Sequence, residues 1–303
     1  MHIPDGFLAT PVWAAAGAVS VPGVAYCARR AHAVLEEGRI PLMGVMGAFV
    51  FAAQMINFPV GVGTSGHLVG GALLAMTLGP ASACLVMTAI LTVQALLFQD
   101  GGVLALGANV LNMALAGVFA GYLPFQLWGG GSRRKLAIWL GGFFSVFVSA
   151  SLAMTELLLS GIPIPTGVAL LSLVLFAISG AMEGAITVAA LDALGRLNPS
   201  WVRTSQTAGK GGYGALWVGA VLLACVGILI ASPLPDGLEK LAESLGIAGR
   251  ASNLFKSPLS DYEASFVSAA WLRKALAGLA GLLATYLVCL AAGRMIAKRG
   301  SKA

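Results

Sequence analysis

Residues 40–99 read IPLMGVMGAFVFAAQMINFPVGVGTSGHLVGGALLAMTLGPASACLVMTAILTVQALLFQ and contain no Asp, Glu, Lys or Arg. A membrane span needs roughly 20 mostly apolar residues, so this stretch alone holds several. Gly102–Ser132, Leu136–Thr155, Leu157–Met182, Gly211–Pro235 and Ala275–Gly293 are equally free of charge. The whole chain is 58% hydrophobic and 10% charged, where a soluble domain carries about 25% charged residues. Its 40 glycines fit close helix packing in lipid. The fold class is therefore an all-α, polytopic membrane helical bundle.

The net charge of +6 does not point to nucleic acid. Most of the basic residues fall in short loops, as topology signals do, while Lys240, Arg250, Lys256, Arg273 and Lys274 lie in or beside one long outside loop, where the rule is weak. Arg29, Arg30 and Arg39 follow a first apolar run at 7–27, and Arg133, Arg134 and Lys135 form the next basic loop. If both loops are cytoplasmic, an even number of spans separates them. Four fit, near 40–58, 66–79, 81–98 and 103–124, with Gly79-Pro80 ending the short second one. Runs near 136–160 and 163–194 return the chain to Arg196, Arg203 and Lys210, and runs near 213–232 and 271–293 to Arg294, Lys298, Arg299 and Lys302. The expectation is about nine transmembrane helices in a cell (inner or plasma) membrane. The amino terminus lies outside and the carboxyl terminus in the cytoplasm. Cys27, Cys84, Cys225 and Cys289 sit in or beside apolar runs without a C-x-x-C pattern. They read as buried thiols. No basic n-region precedes the first apolar run, so no cleaved signal peptide is expected.

The chemistry concentrates in two histidines on the outer face. The chain opens Met1-His2-Ile3-Pro4-Asp5-Gly6, and the second histidine lies in Thr64-Ser65-Gly66-His67. The Met1 α-amine, the His2 backbone nitrogen and a His2 ring nitrogen can chelate one ion through a five- and a six-membered ring. Three nitrogens then lie near one plane, with a fourth position open. An all-nitrogen planar set suits nickel(II) or copper(II). His67 can fill the fourth position. The only other histidine, His32, falls in the basic inner loop. Thr64 or Ser65 is expected to N-cap a helix starting near Gly66. His67 would then lie in its first turn, where the helix dipole keeps an imidazole neutral. Asp5 either caps the first helix or adds charge near the ion, and the cap is favoured. Asn57 is the amide nearest His67 and a candidate to support it. Glu183, mid-span, is an acid in hydrocarbon, hence a functional or a pairing residue. Gly44/Ala48 and Gly117/Gly121 read as helix contacts. Asp236, Glu239, Glu243, Asp261 and Glu263 fall in one outside loop, where they either draw in divalent cations or are simply solvated.

Absences narrow the function. There is no H-E-x-x-H, and Gly209-Lys210-Gly211 lacks the Ser or Thr of a Walker A motif, so the chain cannot power transport with ATP by itself.

At Met1–Leu8, Ile56-Asn57-Phe58-Pro59-Val60 and Gly63-Thr64-Ser65-Gly66-His67-Leu68 the chain resembles the M component of energy-coupling-factor nickel/cobalt transporters. Pro235-Asp236-Gly237-Leu238-Glu239 is similar to the PDGLE signature of their small N component. The resemblance implies a metal-capture membrane bundle over 1–197, seven helices in all. A cytoplasmic linker at 198–212 and a two-span N module at 213–303, with its outside loop at 233–270, would follow. It implies that Met1, His2 and His67 hold a nickel or cobalt ion as substrate, with no tightly bound organic cofactor. It also implies partners: lipid, a transmembrane coupling subunit and cytoplasmic ATPase subunits, with no nucleic acid. The chain is then a transport subunit and not an enzyme. The competing reading is a stand-alone secondary transition-metal permease, which would need a relay of acids or histidines, and Glu183 alone supports it.

Overall fold

The computed structural model describes residues 2–61, 63–202, 213–227 and 231–297. Among them, six helices are long and apolar enough to cross a membrane: α1 (Thr10–Val34), α4 (Pro80–Phe98), α5 (Leu106–Trp128), α6 (Arg134–Leu159), α7 (Thr166–Leu197) and α10 (Ala270–Ile296). Between them lie the shorter apolar helices α2 (Ile40–Gln54), α3 (Gly71–Leu78) and α8 (Gly214–Gly227), and the polar α9 (Gly237–Ser244). The bundle is the polytopic helical one expected from composition.

Two of the expected spans are not simple helices. α2 stops at Gln54 and the chain turns into an antiparallel hairpin, β1 (Asn57–Gly61) and β2 (Thr64–His67). Pro59 lacks a backbone N–H and belongs at a bulge or edge, and the register shifts between Pro59 and Gly61. Gly61, Gly63 and Gly70 adopt φ of 125°, 70° and 78°, which a continuous helix does not allow. Only eight residues remain for α3. They rise about 12 Å, well short of the roughly 30 Å hydrocarbon layer. Uniformly apolar composition hid this change, because a charge-free run reads alike as strand or buried helix.

Glycine sets how close the helices come. A Cβ on Gly142 of α6 would lie 2.6 Å from the Cα of Gly184 on α7, and one on Gly121 would lie 3.1 Å from the Gly141 carbonyl oxygen. The carboxyl-terminal helices α8 and α10 pack against α2. There a Cβ on Gly44 would meet the Tyr286 ring at 2.8 Å, and one on Gly281 would collide with the Phe51 ring. Loop 231–269 then packs over the hairpin end of the bundle. Within it Asp236 and Glu239 form a reciprocal cap: Asp236 Oδ1 accepts from Leu238 N and Glu239 N, and Glu239 Oε2 accepts from Asp236 N, all at 2.8 Å. That is the capping box. It fixes α9, whose Leu238, Leu241 and Ala242 are buried against the bundle.

The α6–α7 contact is backbone on backbone and cannot yield by a rotamer change. Gly142→Ala is expected to destabilise the protein by about 1–3 kcal/mol. Gly167→Ala on α7, whose Cβ would meet nothing within 4 Å, is expected to be neutral. Thermal denaturation in detergent checks both.

Candidate metal centre

An inward strap carries His2 to the centre. Ile3 N donates to Asn109 Oδ1 at 2.8 Å, and Asn109 Nδ2 donates to Ile3 O at 3.0 Å. Gly102 N adds a bond to the same carbonyl at 2.8 Å. Asn109 thus substitutes for a neighbouring strand, satisfying both backbone groups of a fully buried residue. Asp5 does not cap the first helix, whose N-cap is Ala9. Its carboxylate accepts from Val103 N and Ala105 N, at 3.0 Å each. These are orphan donors just before α5, so Asp5 caps a helix from another part of the chain. On the strap's other side, Ser252 N donates to Asp5 O at 3.0 Å. Gly6 (φ 91°) has no room for a Cβ, which would collide with Arg250 O. The strap is clamped between the first turn of α5 and the loop after α9.

His67 ends β2 opposite Asn57. It is not in a helical first turn, and Thr64 and Ser65 cap nothing. Instead Thr64 Oγ1 donates to Pro235 O at 3.1 Å and Ser65 Oγ to Leu234 O at 2.7 Å. Ser65 N donates to Pro235 O at 2.8 Å. The two hydroxyl residues bind the hairpin to the carboxyl-terminal module. Asn57 borders the central cavity, and its carbonyl accepts from Ser232 N at 2.8 Å. Glu183 accounts for the stretch after His67. Its two carboxylate oxygens accept from Val69 N and Gly70 N at 2.8 Å each, capping α3 from α7. It is a pairing residue for backbone. Gln54 Nε2 donates to Val69 O at 2.7 Å.

The two imidazoles lie stacked, with ring centroids 5.6 Å apart and planes 7° from parallel. His67 Nδ1 is 3.0 Å from Leu68 O. Since a carbonyl only accepts, that nitrogen carries the proton and Nε2 the lone pair. A ring nitrogen held in this way fixes the tautomer that a cation needs. Burial pushes the His67 pKa down to about 4, helped by the charge of His2. His2 Nδ1 lies 3.1 Å from Asp100 Oδ1. His2 Nε2 is buried without a hydrogen-bond partner among the described residues. Burial alone would raise the Asp100 pKa, but the charge and hydrogen bond of His2 hold it below the usual range. Asp236 Oδ2 stands 3.8 Å from His67 Nε2. A cavity of about 790 Å³ opens onto the pair, lined also by Asp100, Asp236, Glu239 and Tyr262.

Both histidines expected at the centre are therefore together, while His32 lies elsewhere, with Nδ1 against Ile296 O. Met1 is outside the described residues. Among those that are described, no three His, Cys, Asp or Glu side chains cluster as a ligand set. Asp100, Asn109 and Tyr262 are the residues that sequence reasoning missed or undervalued. Asp100 carried a signal: it is the first charge after the run 40–99, and Gly101-Gly102 follows it.

The family described as the cobalt uptake substrate-specific transmembrane region, CbiM, matches residues 2–201, and the PDGLE domain matches residues 212–298. A putative fused nickel transport protein, NikMN, of Archaeoglobus fulgidus is 32% identical, aligned over 86% of this chain and 88% of its own. The fused nickel transport protein NikMN of Rhodobacter capsulatus is 29% identical over 93% and 94%. A crystal structure of a transition metal transporter superposes with a TM-score of 0.59 at 33% identity, covering 66% of this chain and 94% of that one. Fold and likenesses define a class, the multi-pass membrane transport proteins, not enzymes, in which an M component is fused to an N component. The chain belongs to the cobalt uptake substrate-specific transmembrane family and carries a PDGLE domain behind that region.

In the metal-free protein, His67 is expected to stay neutral well below pH 6.5 and to take up its proton near pH 4. The unfolded chain binds that proton near pH 6.5, so the contribution of His67 to stability falls as pH drops from about 6.5 to about 4, by roughly 3 kcal/mol, and levels off below. Imidazole NMR titration, with denaturation measured across the same window, checks the position and the sign.

Proposed function

We propose that this chain is the substrate-capture subunit of an energy-coupling-factor importer for nickel or cobalt ions. The cation is held by nitrogen alone: the Met1 amine, the His2 amide and ring, and His67 Nε2. The observation that carries this reading is the stacked pair of buried imidazoles, 5.6 Å apart, with the His67 tautomer set by Leu68 O. The names of the fused relatives, nickel transport proteins, support nickel, and the family description supports cobalt. Either ion accepts nitrogen ligands. His2 completes a chelate only if Met1 opens the mature chain with a free amine.

On this reading residues 1–197 form the capture bundle, 198–212 the cytoplasmic linker and 213–303 the N module. The amino terminus faces outward, as the basic loops favour. Energy comes from separate cytoplasmic ATPases through a transmembrane coupling subunit, since the chain has no Walker A sequence. The secondary-permease alternative would use Glu183 as its proton carrier. It is disfavoured because both oxygens of Glu183 are engaged by backbone N–H groups.

Adding one residue before Met1 is expected to abolish tight binding and leave the fold intact, because the amine then leaves the five-membered ring. His67→Ala is expected to weaken binding by orders of magnitude, and His32→Ala not at all. Calorimetric titration of nickel and cobalt, run as a competition, reads all three. Near wild-type affinity in the extended protein removes the amine from the site, and equal effects of the two histidine changes remove His67. Uptake into vesicles that lack ATPase partners would favour the permease.

A further inference from the structure

The chelate that the proposed function requires is selective about atoms. A six-membered ring that contains the cation, the His2 amide nitrogen, Cα, Cβ and Cγ closes on Nδ1. Nε2 lies on the far side of the imidazole and cannot close it. In the structure that same Nδ1 is 3.1 Å from Asp100 Oδ1, while Nε2 has no partner among the described residues. Asp100 and the cation therefore contend for one atom.

Asp100 is held in that position by the carboxyl-terminal module. Tyr262 OH donates to Asp100 Oδ2 at 2.6 Å. Its ring stacks on Phe98, centroids 4.7 Å apart and 12° from parallel, and its oxygen accepts from Gln94 Nε2 at 3.2 Å. Asp261 and Tyr262 both adopt left-handed backbone, at φ of 55° and 57°, a conformation that non-glycine residues hold only when their surroundings enforce it. The Glu263 carboxylate, 2.8 Å from Arg273 Nη2, ties the turn to α10. The same polar chain runs on from Gln94 Nε2 to Gln54 Oε1 (2.8 Å) and from Gln54 Nε2 to Val69 O (2.7 Å). It thus ends two residues past His67.

We propose that Asp100, positioned by the Tyr262 hydroxyl of the PDGLE module, is a release partner for His2 that takes Nδ1 as the cation leaves. This inference rests on His2 chelating the cation. A chelate dissociates arm by arm, and a detached arm normally rebinds at once because its effective concentration is high. A fixed carboxylate beside the arm lowers that rebinding. Nδ1 carries no proton while bound to the cation. With its lone pair on the cation Nδ1 cannot donate to Asp100, and facing Asp100 as a donor at 3.1 Å it cannot hold the cation, so the two states exclude each other. Asp100 contacts the ligand ring, and Tyr262 acts through Asp100, so it is a positioning residue. The fused module thereby shortens the time that the cation stays bound.

Tyr262→Phe keeps the stacked ring and removes only the hydroxyl. In the purified full-length chain, loaded with nickel and chased with excess chelator, it is expected to slow release about tenfold, the usual weight of a hydrogen bond to a charged group. Release at the wild-type rate, or faster, overturns the proposal. In an Asp100→Ala background, Tyr262→Phe is expected to change release no further. An undiminished effect there also overturns it, since Tyr262 would then act by another route. His67→Ala, measured alongside, separates the two readings. Retained binding in that variant sinks the nitrogen site itself. Lost binding, together with unaltered release in Tyr262→Phe, sinks only the role of Asp100 and Tyr262.

Discussion

A chain that carries its second residue into a membrane bundle must satisfy the buried backbone groups of the strap that carries it, because a buried N–H or C=O without a partner is costly. The Ile3–Asn109 exchange meets that demand, and the rest of the centre follows from it. With Ile3 bonded in both directions by one amide, the strap has a register as definite as a strand in a sheet. His2 then reaches His67 at stacking distance. Asp5 repeats the arrangement one turn away, where a carboxylate on the strap closes the open end of α5. Strap and helix terminus each supply what the other lacks.

The same logic governs the other histidine. The hairpin separates α2 from α3 and leaves unpaired amides at the start of α3. Glu183 takes two of them. A buried carboxylate bonded by two N–H groups is an effective way to hold a short helix at a fixed depth. The hydroxyls of Thr64 and Ser65 meanwhile turn away from their own chain and bind carbonyls at 234 and 235. The centre is therefore assembled from four separate stretches, near residues 2–8, 57–70, 99–105 and 232–262. Polar side chains in each of them complete backbone that belongs to another.

How much of this was legible depended on whether a residue's partner was local. The membrane bundle followed from charge-free runs, and the pairing of His2 with His67 from the parity of basic loops. The capping box at Asp236 and Glu239 was foreseeable as a turn and a short helix, since both partners lie within three residues. Thr64, Ser65 and Asp5 were misread because they have the residue types of local caps. The groups that they satisfy lie about 100 residues away or more, and no local pattern reveals such a distance. Asn109 stands in an apolar run, where an amide suggests a neighbouring helix, but its partner is a strand-like strap. The hairpin was missed because residues 59–65 read only as a connection between two spans, and Pro59, Gly61 and Gly63 mark a turn without revealing that its two arms pair as strands. Where polarity is scarce, glycine and proline carry more of the structural message than hydrophobic periodicity does.

Directly after the hairpin, α3 is buried along its whole length, with Ala72, Leu73, Leu74, Ala75 and Met76 at 0% exposure. A bare charge set against this helix would face an apolar layer one short helix thick, which it crosses only at enormous cost. On the proposed function, an inward path requires that this helix be carried aside, and its eight residues set how little of the protein has to move.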